Sequence, residues 1–136
     1  MYQNVQMSKI GESLYAIYAI QKYSTKKNLA KIFDTPTIQQ LPAKEYLQKI
    51  EEMQNALVVD LRTPLEYKSS HHPRAININF LYNFKEKIAK LDNTKPIFIT
   101  CLTAHRSPYA ALLLKNLGFT EIYDLKGGFV TIRSLI

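Results

Sequence analysis

The residues best suited to chemistry lie in one stretch, Ile97-Phe98-Ile99-Thr100-Cys101-Leu102-Thr103-Ala104-His105-Arg106-Ser107-Pro108. Cys101, the single cysteine of the chain, falls between an apolar strand-like run and a helix start. A thiol in that position faces backbone N–H groups that the beginning of a helix leaves without partners. Ser107 suits the helix cap and Pro108 its first turn, where a missing N–H costs nothing. Residues 102 to 107 are then expected to curl around the sulfur with their amides turned toward it, as anion-binding nests do. A free cysteine titrates near ~8.5, and a helix N-terminus or a neighbouring cation lowers that value. Arg106 is the cation. A lone cysteine is more often a small buried hydrophobe, and Leu102 beside it fits that reading. The combination of strand, cysteine, short loop, arginine, serine and proline favours a reactive thiolate in an anion cradle.

The elements around this loop must hold it still. Pro96 to Thr100 reads as the strand that feeds it, and Ser107 to Leu117 as the helix that leaves it, with Gly118 as C-cap. Upstream, Ile38-Gln39-Gln40 suits a short strand and Pro42 to Met53 a helix. Ala56-Leu57-Val58-Val59-Asp60-Leu61 is an apolar strand with a charge near its end. Ala75 to Ile78 is a further strand, Phe84 to Leu91 a helix, and Glu121 to Leu125 the last strand. Gly127-Gly128 then turns into a short terminal helix. Short apolar strands alternating with helices predict an α/β fold with a parallel sheet covered on both faces. Ligands bind outside the carboxyl ends of such strands, where Asp60 and Cys101 both fall. Residues 1–36 differ. Ile10, Leu14, Ile17 and Tyr18, then Leu29, Ile32 and Phe33, read as an N-terminal helical extension that stops near Asp34-Thr35-Pro36, leaving 37–136 as the main domain.

Composition narrows the class. The chain has 136 residues, 46% of them hydrophobic and 21% charged, which suits one soluble globular domain. One cysteine excludes an intramolecular disulfide and a cysteine-rich zinc site, in keeping with a reducing compartment. Net charge is +7, yet the lysines are dispersed and do not alternate with aromatics, so no nucleic-acid partner is expected. The longest apolar run, Leu14 to Ile20, is far shorter than the ~20 residues a spanning helix needs. The N-terminus shows no basic leader followed by a long apolar stretch, so a cytoplasmic protein is expected.

Four blocks in order, from Thr37 to Gly128, resemble the rhodanese homology domain. They are Val58-Val59-Asp60-Leu61-Arg62 with Glu66-Tyr67; Ser70-His71-His72-Pro73-Arg74-Ala75-Ile76-Asn77-Ile78; Cys101 to Ser107, similar to Cys-x-x-Gly-x-Arg-Ser; and Leu125-Lys126-Gly127-Gly128. The chain departs from the family pattern at three glycine positions. Ala104 stands at one, and if positive φ is needed there it costs roughly 1 kcal/mol. Ser70 and Arg74 replace the others, and Arg74 adds a charge that the sequence alone allows near the site. The chain also ends eight residues after Gly128, without the aromatic-rich tail usual in the family.

The resemblance implies sulfur transfer through a Cys101 persulfide, with a small anionic sulfur donor such as thiosulfate and a protein thiol among the acceptors. It implies no metal and no organic cofactor. Leu102, Thr103, Ala104, His105, Arg106 and Ser107 would bind the donor and the persulfide. Arg106 is read as bracing the loop through Asp60 or Glu66 ahead of binding the donor. Arg62 is divided between donor binding and an ion pair, and Asp60 supports the site structurally. His105 is read as tuning the thiolate or facing solvent, and His71 as turn structure; His71-His72 lacks the further ligand a metal needs. Two alternatives stand beside this reading. One is a rhodanese-fold binding or regulatory module with little turnover. The other, less favoured, is a cysteine phosphatase or arsenate reductase, whose cradle is Cys-x5-Arg; here four residues separate Cys101 from Arg106. The N-terminal helices are expected to pack on the domain, ahead of a partner groove or a membrane surface, and the oligomeric state is left open.

Overall fold

The computed structural model describes Ile32, Phe33 and residues 35–136. The helices expected in the N-terminal extension thus lie outside the described residues, apart from Ile32 and Phe33. Five strands and four α-helices follow in the order β1 (Ile38–Leu41), α1 (Ala43–Glu52), β2 (Leu57–Asp60), α2 (Pro64–Ser69), β3 (Ile76–Asn77), α3 (Phe84–Ile88), β4 (Ile97–Thr100), α4 (Ser107–Asn116) and β5 (Ile122–Leu125). A 3-10 turn over Phe129–Thr131 comes last. All the strand pairs are parallel and the sheet order is β1-β5-β4-β2-β3. The α/β class and the parallel sheet are as the alternating pattern predicts.

Period-two alternation divides the side chains between two cores. Ile38, Val59, Leu61, Ile97, Ile99, Cys101 and Ile122 face α3 and α4, against Phe84, Ile88, Tyr109, Ala110, Ala111 and Leu114. Val58, Phe98, Tyr123 and Leu125 face the other way, against Tyr46 and Ile50 of α1 and Phe129 beyond β5. Both faces are therefore covered, which is why the strands read as continuous apolar runs. Small Ala110 and Ala111, both fully buried, allow α4 to approach the sheet closely.

Local signals explain the ends of the elements. Thr63 and Glu66 form a capping box: Thr63 Oγ1 accepts from the Glu66 N–H at 3.4 Å, and Glu66 Oε1 accepts from the Thr63 N–H at 3.1 Å. Pro64 at the helix start completes the signal for α2, an element the sequence reading passed over. Gly118 ends α4 at φ 96°, as a C-cap glycine should. Arg74 corrects an expectation. Its guanidinium donates to the carbonyls of Ile50, Met53, Gln54 and Ala56, closing the C-terminal end of α1, where a cation and a donor are both favourable. That charge is thus committed to the helix end and adds nothing to the cysteine loop. Among the described residues no helix is long and apolar enough to cross a membrane.

Candidate active site

The chain leaves β2 toward β3 on one side and leaves β4 toward β5 on the other, so the connections diverge between two neighbouring strands. Such a divergence opens a crevice at the carboxyl ends of the strands. Asp60 closes β2 there, paired in register with Thr100, and Cys101 follows Thr100.

Cys101 is 2% exposed and begins the loop into α4. Thr103 and His105 are exposed, whereas Leu102, Ala104 and Arg106 are half-buried, so the loop alternates between an outer rim and an inner lining. None of the backbone N–H groups of residues 102–107 finds an acceptor among the described residues. Six consecutive donors without a partner there leave a set beside a buried thiol that is open to an incoming acceptor. Ala104 adopts φ 62°, the left-handed conformation for which the sequence assigned it a cost.

The loop is held from behind by the segment after β5. Phe129 N–H donates to the Cys101 carbonyl at 2.7 Å and Val130 N–H to the Leu102 carbonyl at 3.2 Å. These bonds require close approach of Gly128, whose φ is 77°. A Cβ there would lie 2.5 Å from the Leu102 oxygen and 2.7 Å from both the Cys101 oxygen and the Ala104 nitrogen. Gly127-Gly128 is visible in the sequence, but its contact with a loop more than twenty residues upstream is tertiary.

Arg62 is the brace that the sequence reading assigned first to Arg106. It is 1% exposed, and its Nε and Nη2 donate to the Asp60 carboxylate, with Nη2–Oδ2 at 2.8 Å. Its guanidinium lies 3.6 Å from the Phe129 ring centroid, a close cation–π contact. Asn77 Nδ2 donates to the carbonyls of Asp60 and Arg62 at 3.0 and 2.8 Å. A connected set therefore runs from Asp60 through Arg62 to Phe129 and on to the Cys101 carbonyl. The Arg106 side chain makes no hydrogen bond or ion pair among the described residues. Its charge is felt by Glu66: burial alone would raise that carboxyl, but hydrogen bonds from Thr63 and then the charges of Arg62 and Arg106 bring it below the ordinary value.

Ser107 differs from expectation as well. It is the first residue of α4, not the cap, and Arg106 occupies the cap position without a side-chain bond. The Ser107 hydroxyl is fully buried and turned toward Asp124 of β5, whose Oδ2 accepts from Gln40 Nε2 at 3.2 Å. Ser107 Oγ and Asp124 Oδ1 approach without completing a well-formed bond to each other or to any other group. The sequence reading missed Asp124; an acid inside the apolar run Ile122-Tyr123-Asp124-Leu125 was the available signal. His105 Nδ1 pairs with Thr103 Oγ1 at 2.9 Å on the exposed rim. His71 Nδ1 donates to the Tyr67 carbonyl at 2.6 Å, and its ring stacks on Tyr67 at 3.7 Å, a turn-forming arrangement away from the thiol loop.

A thiol at a strand end, followed by six N–H groups and an arginine side chain without partners among the described residues, suits an anionic sulfur species. The family profile of the rhodanese-like domain matches residues 42–134. The chain belongs to the rhodanese-like domain family. Over 85 residues it is 33% identical to the thiosulfate sulfurtransferase GlpE of Pseudomonas savastanoi pv. phaseolicola, covering 62% of this chain and 78% of that one. It is 35% identical over 85 residues to the tRNA uridine(34) hydroxylase of Pelagibacter ubique, which covers 60% of this chain but 28% of that protein. Among solved structures, a rhodanese-related protein from Thermoplasma volcanium superimposes with TM-score 0.58 at 28% identity, covering 65% of this chain and 84% of that one. An uncharacterized protein from Saccharomyces cerevisiae superimposes with TM-score 0.63 at 22% identity, over 72% and 92% of the two chains, which establishes likeness of fold. The family match and the GlpE relative support rhodanese-type sulfurtransferase activity for this domain.

Proposed function

We propose that this rhodanese-like domain transfers sulfane sulfur, with Cys101 as the carrier, from thiosulfate or a persulfide to a thiophilic acceptor. The observation that carries the reading is the run of six N–H groups, without an acceptor among the described residues, that follows a thiol at the end of β4. In the first step the Cys101 thiolate attacks the outer sulfur of thiosulfate. An S–S bond forms to Cys101 as the S–S bond of thiosulfate breaks, and sulfite departs with the bonding pair. The enzyme then holds an anionic persulfide, which the loop amides of Leu102 to Ser107 stabilise as fixed dipoles without reorganisation. In the second step an acceptor such as cyanide or a protein thiolate takes the outer sulfur and restores the thiolate.

Arg106 serves as the cation that attracts the donor, whereas Arg62 and Asp60 hold the loop from below. The 2% exposure of Cys101 suits a small donor more than a bulky one. No step needs a metal or organic cofactor, and a cytoplasmic setting keeps the thiol reduced.

A second reading rests on the Pelagibacter protein, in which a matching domain is part of a larger enzyme named for a different reaction. On that second reading this chain's domain would bind and present, with little turnover of its own. Intact mass separates the two. Thiosulfate treatment should add one sulfur atom to the protein, cyanide should remove it, and Cys101→Ser should never acquire it. A free thiol that gains no sulfur moves the assignment to the binding module, and full transfer by Cys101→Ser would refute the mechanism.

A further inference from the structure

We propose that Asp124 is a positioning residue of the Cys101 site, a second buried acid on the same face of the sheet whose carboxylate opposes negative charge on the sulfur. The proposal rests on the reading of Cys101 as the reactive nucleophile, and its test reads the thiol directly.

Geometry places the two groups together. Ile99 pairs in register with Asp124, and Cys101 lies two residues further along β4. Strand rise and spacing put the Cys101 and Asp124 α-carbons about 8 Å apart. Cys101, Ile99, Ile38 and Ile122 all belong to the core beneath α4, and alternation turns Gln40 and Asp124 to that same face. Asp124 is fully buried there. Charges in that setting interact more strongly than in water.

Among the described residues no cation pairs with Asp124. From β1, Gln40 donates one hydrogen bond. From α4 comes the Ser107 hydroxyl, and from β5 the Leu125 N–H. Tyr46 of α1 approaches through the sheet, donating to the Ile99 carbonyl at 3.1 Å, and the charges of Asp124 and Asp60 add to burial in pushing its phenol up. Asp60 on β2 is already paired with Arg62, Thr100 directs its hydroxyl to the Cys101 carbonyl, and Lys49 of α1 lies over the Tyr123 ring. Burial accordingly pushes the Asp124 carboxyl up to about 7, against the smaller pull of Ser107, Gln40 and the Leu125 N–H.

The sign follows. Below that value Asp124 is protonated and neutral and does not oppose a negative sulfur. Above it the carboxylate repels a thiolate or persulfide, so the two ionisations become coupled. Ser107, the last residue of the cradle, shares the effect, because the proton on Asp124 decides whether its hydroxyl faces a donor or an acceptor.

Iodoacetamide alkylation of Cys101, followed from pH 5.5 to 9 by intact mass in the wild type and Asp124→Asn, tests this. Both proteins should react at the same rate near pH 5.5. The variant should become faster as Asp124 ionises, by up to about tenfold for one unit of coupling wherever the thiol is still mostly protonated. A ratio of one throughout, or a constant ratio at every pH, overturns the proposal, since a purely structural change would not follow the ionisation of Asp124. Should the variant not fold, the 13C shift of the wild-type Asp124 carboxyl decides instead. Titration between about pH 6 and 8 that moves to lower pH in Cys101→Ser supports the proposal, and a carboxyl already ionised at pH 5, or one whose titration ignores that substitution, refutes it.

Discussion

At the end of β2 the Asp60 carboxylate accepts from the Arg62 backbone N–H, Nε and Nη2, and Asn77 closes the Asp60 and Arg62 carbonyls. At the end of β4, one strand away, six successive N–H groups have no acceptor among the described residues. Both regions sit at the same edge of the same sheet, yet one is saturated and the other open. A fold gains nothing by leaving donors unpaired beside its core, so the open set marks where an external anion is expected. The saturated set shows what keeps it open. The stack of Arg62 on Phe129, and the Phe129 N–H bond to Cys101, fix the loop from outside itself.

Breaking the saturated side should have the largest effect. Asp60→Ala leaves the Arg62 guanidinium buried with its charge unpaired, at a cost of about 3–5 kcal/mol. Chemical denaturation should show that loss, and sulfur transfer per folded molecule should fall because Phe129 loses its support. Unchanged stability would mean that Arg62 finds water or a new partner, and would end the contrast between the two strand ends.

Gly128→Ala strikes the junction between the regions. Its Cβ would overlap the carbonyls of Leu102 and Cys101, at a φ that L-residues rarely adopt. Backbone strain and overpacking together cost about 3 kcal/mol. The loop should move with it, so loss of persulfide formation should exceed the loss of folded protein. Equal losses would reduce Gly128 to a purely structural role.

Arg74→Ala is the control. It removes donors from four carbonyls at the end of α1, worth about 2 kcal/mol for charged bonds. Transfer by the folded fraction should be unchanged. A fall in activity would return Arg74 to the site.

The sheet was legible because buried parallel strands are written as apolar runs: Leu57–Asp60, Ile97–Thr100 and Ile122–Leu125 each lie within the span read for them. The α2 helix was not, since it is six residues long and buries no side chain; its capping box was the available cue. Cys101, Arg106 and the loop between them were legible from residue type and spacing. The partners of that loop were not. Ser107 answers to Asp124, Arg62 to Phe129, and Gly128 to Leu102 and Ala104, each across a separation that only the tertiary fold closes. Arg106 reads as the brace because an arginine fork inside a loop is suited to holding it rigid. Arg62 holds it because Asp60 is two residues away and the pair is buried together.

The smallest change sharpens the open side. Ala104 carries φ 62° within the run of free N–H groups, where a Cβ crowds the backbone and glycine does not. Ala104→Gly removes that cost of about 1 kcal/mol in the folded state, while the extra freedom of glycine in the unfolded chain returns part of it. Net stability should therefore rise by about 0.5 kcal/mol or less, a shift of a few degrees at most in the melting midpoint. Because the half-buried Ala104 methyl is also removed from the inner lining, donor access should improve. The expected result is a higher kcat/KM for thiosulfate through a lower KM, with kcat little changed. A loss of stability of 1 kcal/mol or more would show that the alanine packs better than its backbone angle suggests, and that the open loop is held by side-chain contacts as well as by the saturated frame beneath it.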